Sequence, residues 1–177
     1  MPRKKVLVAD DDREMADELL AQLEAEYGSS AYVDQARLLV ARDNLVRDPE
    51  RAIDELAKVV EQSKDEGLVK IARLRLARVL AYNEQFDRAL ETLNVPDVGE
   101  FGPRFSEIRG DIHAANGNVE AAISAYTDAL LSSGNGTVNT DYLQLKINDL
   151  IQVGALDFAE SADSVDSTES TESGDEG

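Results

Sequence analysis

The sequence predicts an all-α fold, and three observations lead to this prediction. Apolar residues recur at helical spacing over residues 12–153, and no stretch after residue 9 alternates between apolar and polar residues as a half-buried strand does. Turn-forming residues interrupt the helical pattern at short intervals. We therefore expect about eight helices of roughly 9 to 18 residues, joined by short loops that make neighbouring helices antiparallel.

Apolar faces and the breaks between them place the individual helices. The first three faces are formed by Met15, Leu19, Leu20 and Leu23, by Leu38, Leu39 and Leu45, and by Ile53, Leu56, Val59 and Val60. Glycine, proline, asparagine and aspartate mark the predicted breaks. The breaks lie at Gly28–Ser30, Asp48-Pro49, Asp65–Gly67, Asn94–Pro96, Asn116-Gly117 and Gly134–Gly136.

Helix pairs in the second half of the chain can be aligned with one another. Ala89 and Ala122 are 33 residues apart, and a weaker third copy places Ala52 37 residues before Ala89. A period of about 34 residues, with small residues where two helices cross and a bulky residue filling the next gap, is typical of tetratricopeptide repeats. The small positions are Ala52, Ala77, Ala89, Gly110 and Ala122, and the bulky ones are Leu56, Leu93 and Tyr126.

The predicted architecture is a tetratricopeptide-like helical-hairpin solenoid of about three repeats. Only Gly117 keeps the usual glycine of the turn between the two helices, so an unrelated helical bundle with chance alanine spacing is the alternative. A solenoid needs capping helices at both ends. Residues 15–22 can supply the first cap, and residues 141–151 the second, with one face formed by Leu143, Ile147, Leu150 and Ile151.

Composition divides the chain into three segments. Residues 1–11 are expected to be a poorly ordered N-terminal segment and residues 12–153 the folded domain. Residues 154–177 hold eight acids and no base among serines and threonines, which predicts a disordered tail.

The charge balance excludes several classes of partner. The chain has 36 acidic and 18 basic residues, a net charge of −18, and residues 1–153 alone carry 28 acids and 18 bases, a net charge of −10. Such a surface repels nucleic acids and anionic membranes. The absence of cysteine excludes disulfides, thiolate metal sites and a cysteine nucleophile. We expect no metal, no cofactor and no catalytic residue, and we interpret the single histidine, His113, as a packed boundary residue.

The N-terminus carries two weak signals. Residues 1–5 are basic and Val6–Ala9 apolar, but four apolar residues are too few for a signal peptide, and no window is long enough to span a membrane. Asp10, Asp11 and Asp12 after this apolar stretch are typical of the Mg²⁺-binding start of receiver domains. Because the strands of a receiver do not follow, we interpret these aspartates as an acidic cap on the first helix.

Several motifs resemble one family in particular. Glu26–Tyr32, Leu74–Val79 (Leu-Arg-Leu-Ala-Arg-Val), Ile108–Asp111 with Gly117, and Leu145–Leu150 (Leu-Lys-Ile-Asn-Asp-Leu) are similar to the tetratricopeptide-like domain of the YfgM family. This family comprises ancillary subunits of the SecYEG translocon. The resemblance implies a non-enzymatic protein-interaction module of a bacterial envelope protein, with a membrane span, a periplasmic repeat domain, and translocon subunits and a membrane-anchored periplasmic chaperone as partners.

The chain departs from this pattern because it shows no membrane span and carries the acidic tail. By resemblance it lies at the periplasmic face of the inner membrane, whereas the chain as written would be soluble. The alternatives are a free soluble repeat adaptor and a receiver-like signalling protein. The groove positions of such repeats are Arg37, Asn44, Arg78, Tyr82, Arg104 and Asp111, and their arginines are candidates for holding a carboxylate-bearing segment of a partner. The competing interpretation is that the arginines only pair with neighbouring acids.

Overall fold

A computed structural model describes the backbone at residues 3–28, 30–134 and 138–166 and the side chains at residues 14–28, 30–134 and 138–153. Within this part of the chain the regular structure consists of eight α-helices and one 3₁₀ turn, Gly99–Phe101, without any strand. The helices are α1 (Arg3–Tyr27), α2 (Ala31–Asn44), α3 (Pro49–Gln62), α4 (Glu66–Tyr82), α5 (Phe86–Thr92), α6 (Gly102–Ala115), α7 (Val119–Ser132) and α8 (Thr140–Asp166). The prediction of an all-α fold is confirmed.

The chain forms two compact units, Met1–Phe101 and Gly102–Gly177. In the first unit each helix from α1 to α5 packs on the next, and α2 also contacts α4, so that the α2–α3 and α4–α5 hairpins are stacked. In the second unit α6 packs on α7, and α7 packs on α8. The stacked hairpins of the first unit, and the hairpin followed by a closing helix in the second unit, are each elements of the predicted solenoid.

Short polar side chains start the helices at the predicted breaks. The Asp48 carboxylate accepts a hydrogen bond from the Arg51 backbone N–H at 3.2 Å, with Pro49 in the first position of α3. The Asp65 carboxylate accepts one from the Leu68 backbone N–H at 3.0 Å at the start of α4. Each carboxylate satisfies a backbone donor that has no partner within the helix.

The turns that close the second and third hairpins have the same geometry. The Gln85 backbone N–H donates to the Leu80 carbonyl at 2.9 Å, and the Asn118 backbone N–H donates to the His113 carbonyl at 2.8 Å. The residue before each donor has a positive φ, 59° for Glu84 and 76° for Gly117. Glu84 thus adopts the left-handed conformation that glycine occupies in the other hairpin, which explains why the sequence shows the turn glycine only once.

The predicted small and bulky positions form the interior of both units. Ala52, Ala77, Ala89, Gly110 and Ala122 are all buried, and so are Leu56, Leu93 and Tyr126. Helices α6 and α7 cross closely, since a Cβ atom added to Gly110 would lie only 2.4 Å from two carbons of the Tyr126 ring. The size pattern that predicted the repeats is therefore a pattern of helix crossings.

Parts of the predicted apolar faces lie in solvent. Met15, Leu19 and Leu39 are more than half exposed, whereas Leu20 and Leu38 beside them are buried. Helical spacing places several residues near the same face, but the neighbouring helix covers only part of that width.

The helices also extend past the predicted domain limits at residues 12 and 153. Helix α1 begins at Arg3, so Asp10, Asp11 and Asp12 lie inside the helix and the predicted acidic cap is wrong. Val6–Ala9, where a receiver domain would have a strand, is helical as well. Helix α8 continues to Asp166. Residues 167–177, which belong to the predicted tail, lie outside the described part of the chain. Among the described helices, none is both long and apolar enough to cross a membrane.

Candidate protein-binding cleft

One face of α4 carries two arginines and a tyrosine. Arg75, Arg78 and Tyr82 follow one another at spacings of three and four residues, which places them on the same side of the helix. All three side chains are exposed, and Tyr82 keeps 75% of its surface in solvent. The buried residues Leu76, Ala77 and Leu80 hold the opposite side of α4 in the core, so this face is turned outward.

This face forms one wall of a cleft of about 430 Å³ in the first unit. The opposite wall comes from the end of α2 and the loop after it, and α3 contributes to the floor. The lining residues are Ala41, Arg42, Leu45, Val46, Leu56, Arg75, Arg78, Val79 and Tyr82. Ala41, Leu56 and Val79 are buried, whereas Val46 is 82% exposed at the mouth. The cleft therefore combines an apolar floor with an open, partly aromatic mouth, as ligand sites commonly do.

The charged side chains that line the cleft are all arginines. Arg42 pairs with Asp43 through an Nε to Oδ1 distance of 3.1 Å, and both side chains are mostly exposed. Neither Arg75 nor Arg78 has a hydrogen bond or an ion pair with any residue that the structure describes. Two guanidinium groups at the cleft are thus available for an external acceptor.

Two other predicted groove residues, Arg37 and Asn44, lie inside the first unit. Arg37 is 6% exposed; its Nε donates to Glu24 Oε1 at 3.1 Å, its Nη1 donates to Gln62 Oε1 at 3.0 Å, and Glu55 Oε2 lies 3.9 Å from Nε. The buried Asn44 side chain donates to the Val40 carbonyl at 2.8 Å. A buried guanidinium needs such partners to offset its lost hydration, so Arg37 joins α1, α2 and α3.

Arg104 and Asp111 lie on α6 in the second unit, where they also contact neighbouring residues. Arg104 Nη1 pairs with Glu107 Oε2 at 2.5 Å. Asp111 Oδ1 accepts hydrogen bonds from the Tyr126 hydroxyl at 2.8 Å and from Lys146 Nζ at 2.6 Å. For Arg37 and Arg104, the competing interpretation that the arginines pair with nearby acids describes what the structure shows.

Lys146 also lies over two aromatic rings. Its Nζ atom is 4.7 Å from the centre of the Tyr142 ring and 5.2 Å from that of Tyr126. Burial, with the hydrogen bond to the Asp111 carboxylate as the next contribution, raises the pKa of Tyr126 well above its ordinary value. This cluster fastens α8 to α6 and α7.

A comparison with protein families decides what kind of domain this is. The family model described as a tetratricopeptide repeat-like domain matches residues 4–152, which is most of the chain. The chain belongs to the tetratricopeptide repeat-like domain family. No solved structure matches it significantly.

Curated relatives of this tetratricopeptide repeat-like chain carry the name Ancillary SecYEG translocon subunit. The protein from Neisseria gonorrhoeae is 31% identical over 134 residues, which cover 74% of this chain and 63% of the relative. The protein from Escherichia coli is 29% identical over 135 residues, covering 76% and 63%, and that from Haemophilus influenzae is 30% identical over 130 residues, covering 73% and 61%. The chain thus spans less than two thirds of these relatives, which confirm the resemblance seen in the motifs.

Sequence reasoning missed most of the lining of the cleft in this tetratricopeptide repeat-like domain. Arg75 could have been found, because the Leu-Arg-Leu-Ala-Arg-Val motif places it three residues before Arg78 on the same helical face. Leu45 was assigned to an apolar packing face, and no motif or spacing in the sequence marked Val46 as part of a cleft. Their exposure depends on how closely α2 and α4 approach each other.

His113 is half-buried on α6, and its Nδ1 atom has no hydrogen-bond partner among the described residues. Within the described ranges, no group of three or more histidine, aspartate or glutamate side chains is arranged to hold a metal ion.

Of the six predicted groove residues, Arg78 and Tyr82 are the two that the structure places together at the open cleft of this tetratricopeptide repeat-like domain.

Proposed function

We propose that this chain is a non-enzymatic protein-interaction module that serves as an accessory subunit of the SecYEG translocon. The observation that carries the proposal is the cleft between α2 and α4, where exposed apolar side chains adjoin Arg75 and Arg78. An apolar mouth and arginines without a partner among the described residues suit the docking of a protein segment, because aromatic and arginine side chains contribute most of the free energy at many interfaces. The names of the relatives support the translocon as the assembly that supplies this segment.

The proposal also includes the cellular location of the domain and a second protein partner. We infer that the domain works at the periplasmic face of the inner membrane, beside the exit of the translocon, together with a membrane-anchored periplasmic chaperone. This inference rests on the resemblance to the YfgM family. A domain that holds the translocon through one surface leaves its other surfaces for a chaperone.

Site-specific photocrosslinking tests the proposal. A benzophenone amino acid replaces Tyr82 at the cleft or, as the matched control, Tyr32 at the start of α2; the two tyrosines are 75% and 71% exposed, and Tyr32 does not line the cleft. Each protein is irradiated with SecYEG reconstituted in lipid vesicles, with and without the chaperone. We expect crosslinks to a SecYEG subunit from position 82 and few from position 32.

A charge reversal at the cleft provides the second arm. Arg78→Glu should reduce the crosslinks from position 82 while the protein remains folded, since an exposed substitution usually costs the fold no more than about 0.5 kcal/mol. Circular dichroism checks the fold. If position 82 captures no translocon subunit from a folded protein, or if both positions capture it equally, the proposed function of the cleft is refuted.

A further inference from the structure

We propose that the cleft binds a partner segment in which one or two carboxylates lie about three residues from a large apolar side chain. This proposal rests on the proposed function in that the partner is a protein, and it adds the chemistry of the docking segment. Charge complementarity, the apolar floor and the length of the α4 wall each restrict what the segment can be.

The charge at the cleft is opposite to that of the whole chain. The net charge is −18, yet the lining contains Arg42, Arg75 and Arg78 and no acidic residue. A guanidinium group is planar and presents paired N–H donors that match a carboxylate. Since Arg75 and Arg78 have no acceptor among the described residues, an incoming carboxylate does not have to displace one.

The other half of the cleft favours an apolar side chain. Leu56 and Val79 form the floor, and Leu45, Val46 and Tyr82 stand around it with 36%, 82% and 75% of their surfaces exposed. Covering these three side chains removes apolar surface from water, which favours binding. A phenylalanine or leucine side chain suits a cleft of about 430 Å³ that is open on one side.

The length of α4 sets the spacing between the two features. Arg75 and Tyr82 are seven residues apart, which is about 10 Å along a helix that rises 1.5 Å per residue. An extended segment covers about 3.3 Å per residue, so about three residues span the same distance. The carboxylates therefore lie at the Arg75 and Arg78 end, and the apolar side chain lies at the Tyr82 end.

Long-range repulsion does not prevent this binding at physiological salt. The acidic chain repels an acidic segment, but charges farther apart than about 8 Å are largely screened at 0.15 M ionic strength. The contacts with Arg75 and Arg78 are made within that distance. Local attraction therefore decides the affinity once the segment reaches the cleft.

Fluorescence anisotropy with synthetic peptides tests the proposal on the full chain. The probe is a fluorescein-labelled ten-residue peptide with two adjacent aspartates, a two-residue spacer and one phenylalanine in a glycine-serine background. One comparison peptide carries asparagines in place of the aspartates, and another carries serine in place of the phenylalanine. At 0.15 M salt we expect both comparison peptides to bind at least about tenfold more weakly than the probe, because each lacks one of the two contacts.

Three variants test which arginines bind the probe peptide. Arg75→Gln and Arg78→Gln should each weaken probe binding by roughly fivefold, the size expected for a partly exposed ion pair. Arg88→Gln is the matched control, because Arg88 is exposed on α5, does not line the cleft, and its loss changes the net charge equally. The effect of both cleft variants should be larger at low salt. Equal affinity for the aspartate and asparagine peptides, or equal loss in all three variants, would overturn the proposal.

Two outcomes distinguish failure of the proposed cleft chemistry from failure of the proposed function. If benzophenone at position 82 captures SecYEG but the asparagine peptide binds as well as the probe, the proposed function stands and the carboxylate assignment fails. If the peptide preference holds and no translocon subunit is captured, the chemistry of the cleft stands and the proposed function fails. Deleting residues 154–177, which are acidic and include Leu156 and Phe158, should leave probe binding unchanged. Tenfold tighter binding after this deletion would make the occupant the chain's own C-terminal segment and refute a partner.

Discussion

A methyl group at position 110 should disrupt the crossing of α6 and α7. The Cβ atom of an alanine there would lie 2.4 Å from Cδ1 and Cε1 of Tyr126 and 2.9 Å from Cζ. Carbon atoms need about 3.5 Å, so the ring or one of the helices has to move by about 1 Å. The ring has little freedom, because Tyr126 is 3% exposed and its hydroxyl is bound to Asp111.

Three free-energy contributions decide the size of the effect of Gly110→Ala. Alanine in place of a helical glycine stabilises a helix by about 1 kcal/mol. Forcing an extra carbon into a packed crossing costs about 1–3 kcal/mol. If the ring moves, the hydrogen bond of Tyr126 to a carboxylate weakens, and such a bond contributes about 1.5–3 kcal/mol. We therefore expect the free energy of unfolding to fall by about 2 kcal/mol and the melting temperature to fall by about 4–8 °C.

Urea denaturation followed by circular dichroism measures this change, and a double-mutant cycle with Tyr126→Leu isolates the clash. In the Tyr126→Leu background the ring is absent, so Gly110→Ala should be neutral or stabilise by up to about 1 kcal/mol. The coupling free energy between the two positions should then be at least about 2 kcal/mol. If Gly110→Ala stabilises the protein with Tyr126 present, or has the same cost in both backgrounds, the close crossing does not explain the glycine.

Three further measurements test other parts of the structure. Glu84→Gly should raise the free energy of unfolding by up to about 1 kcal/mol and Gly117→Ala should lower it by about 1 kcal/mol, since both positions have positive φ. Urea titration measures both changes, and a loss of stability for Glu84→Gly would contradict this account of the turn. Deleting residues 154–177 should leave the melting temperature nearly unchanged, because so acidic a segment has little to pack, and a drop of more than about 5 °C would show that it docks on the domain. The pKa of Tyr126 is raised above its unfolded value of 10.0, so above pH 10.0 the folded state keeps a phenol proton that the unfolded state loses. The free energy of unfolding should therefore decrease more steeply above pH 10.0 in the wild type than in Tyr126→Phe. Below that pH the difference between the two proteins should be constant in urea titrations, and equal slopes at high pH would contradict the buried hydrogen-bonded phenol.

The sequence determined the helical class and the register of the repeats. Ala52, Ala89 and Ala122 were identified as crossing positions from their spacing, and each is fully buried. This was possible because helical periodicity and the size of a residue at a crossing are local properties that one chain segment carries by itself. Arg78 was predicted as a groove residue from the groove positions of such repeats, and its side chain is exposed on α4.

The tertiary structure alone decided which groove positions are open. Arg37 and Arg78 are both arginines on the first helix of a hairpin, but Arg37 meets Glu24 from α1 and Gln62 from α3, which lie 13 and 25 residues away in the sequence. Nothing in the residues around Arg37 shows that these acceptors reach it. Arg78 meets no described acceptor and instead faces the cleft that α2 leaves beside α4. Whether an arginine is buried as an ion pair or left for a partner depends on charges that distant segments supply, and only packing brings those segments together.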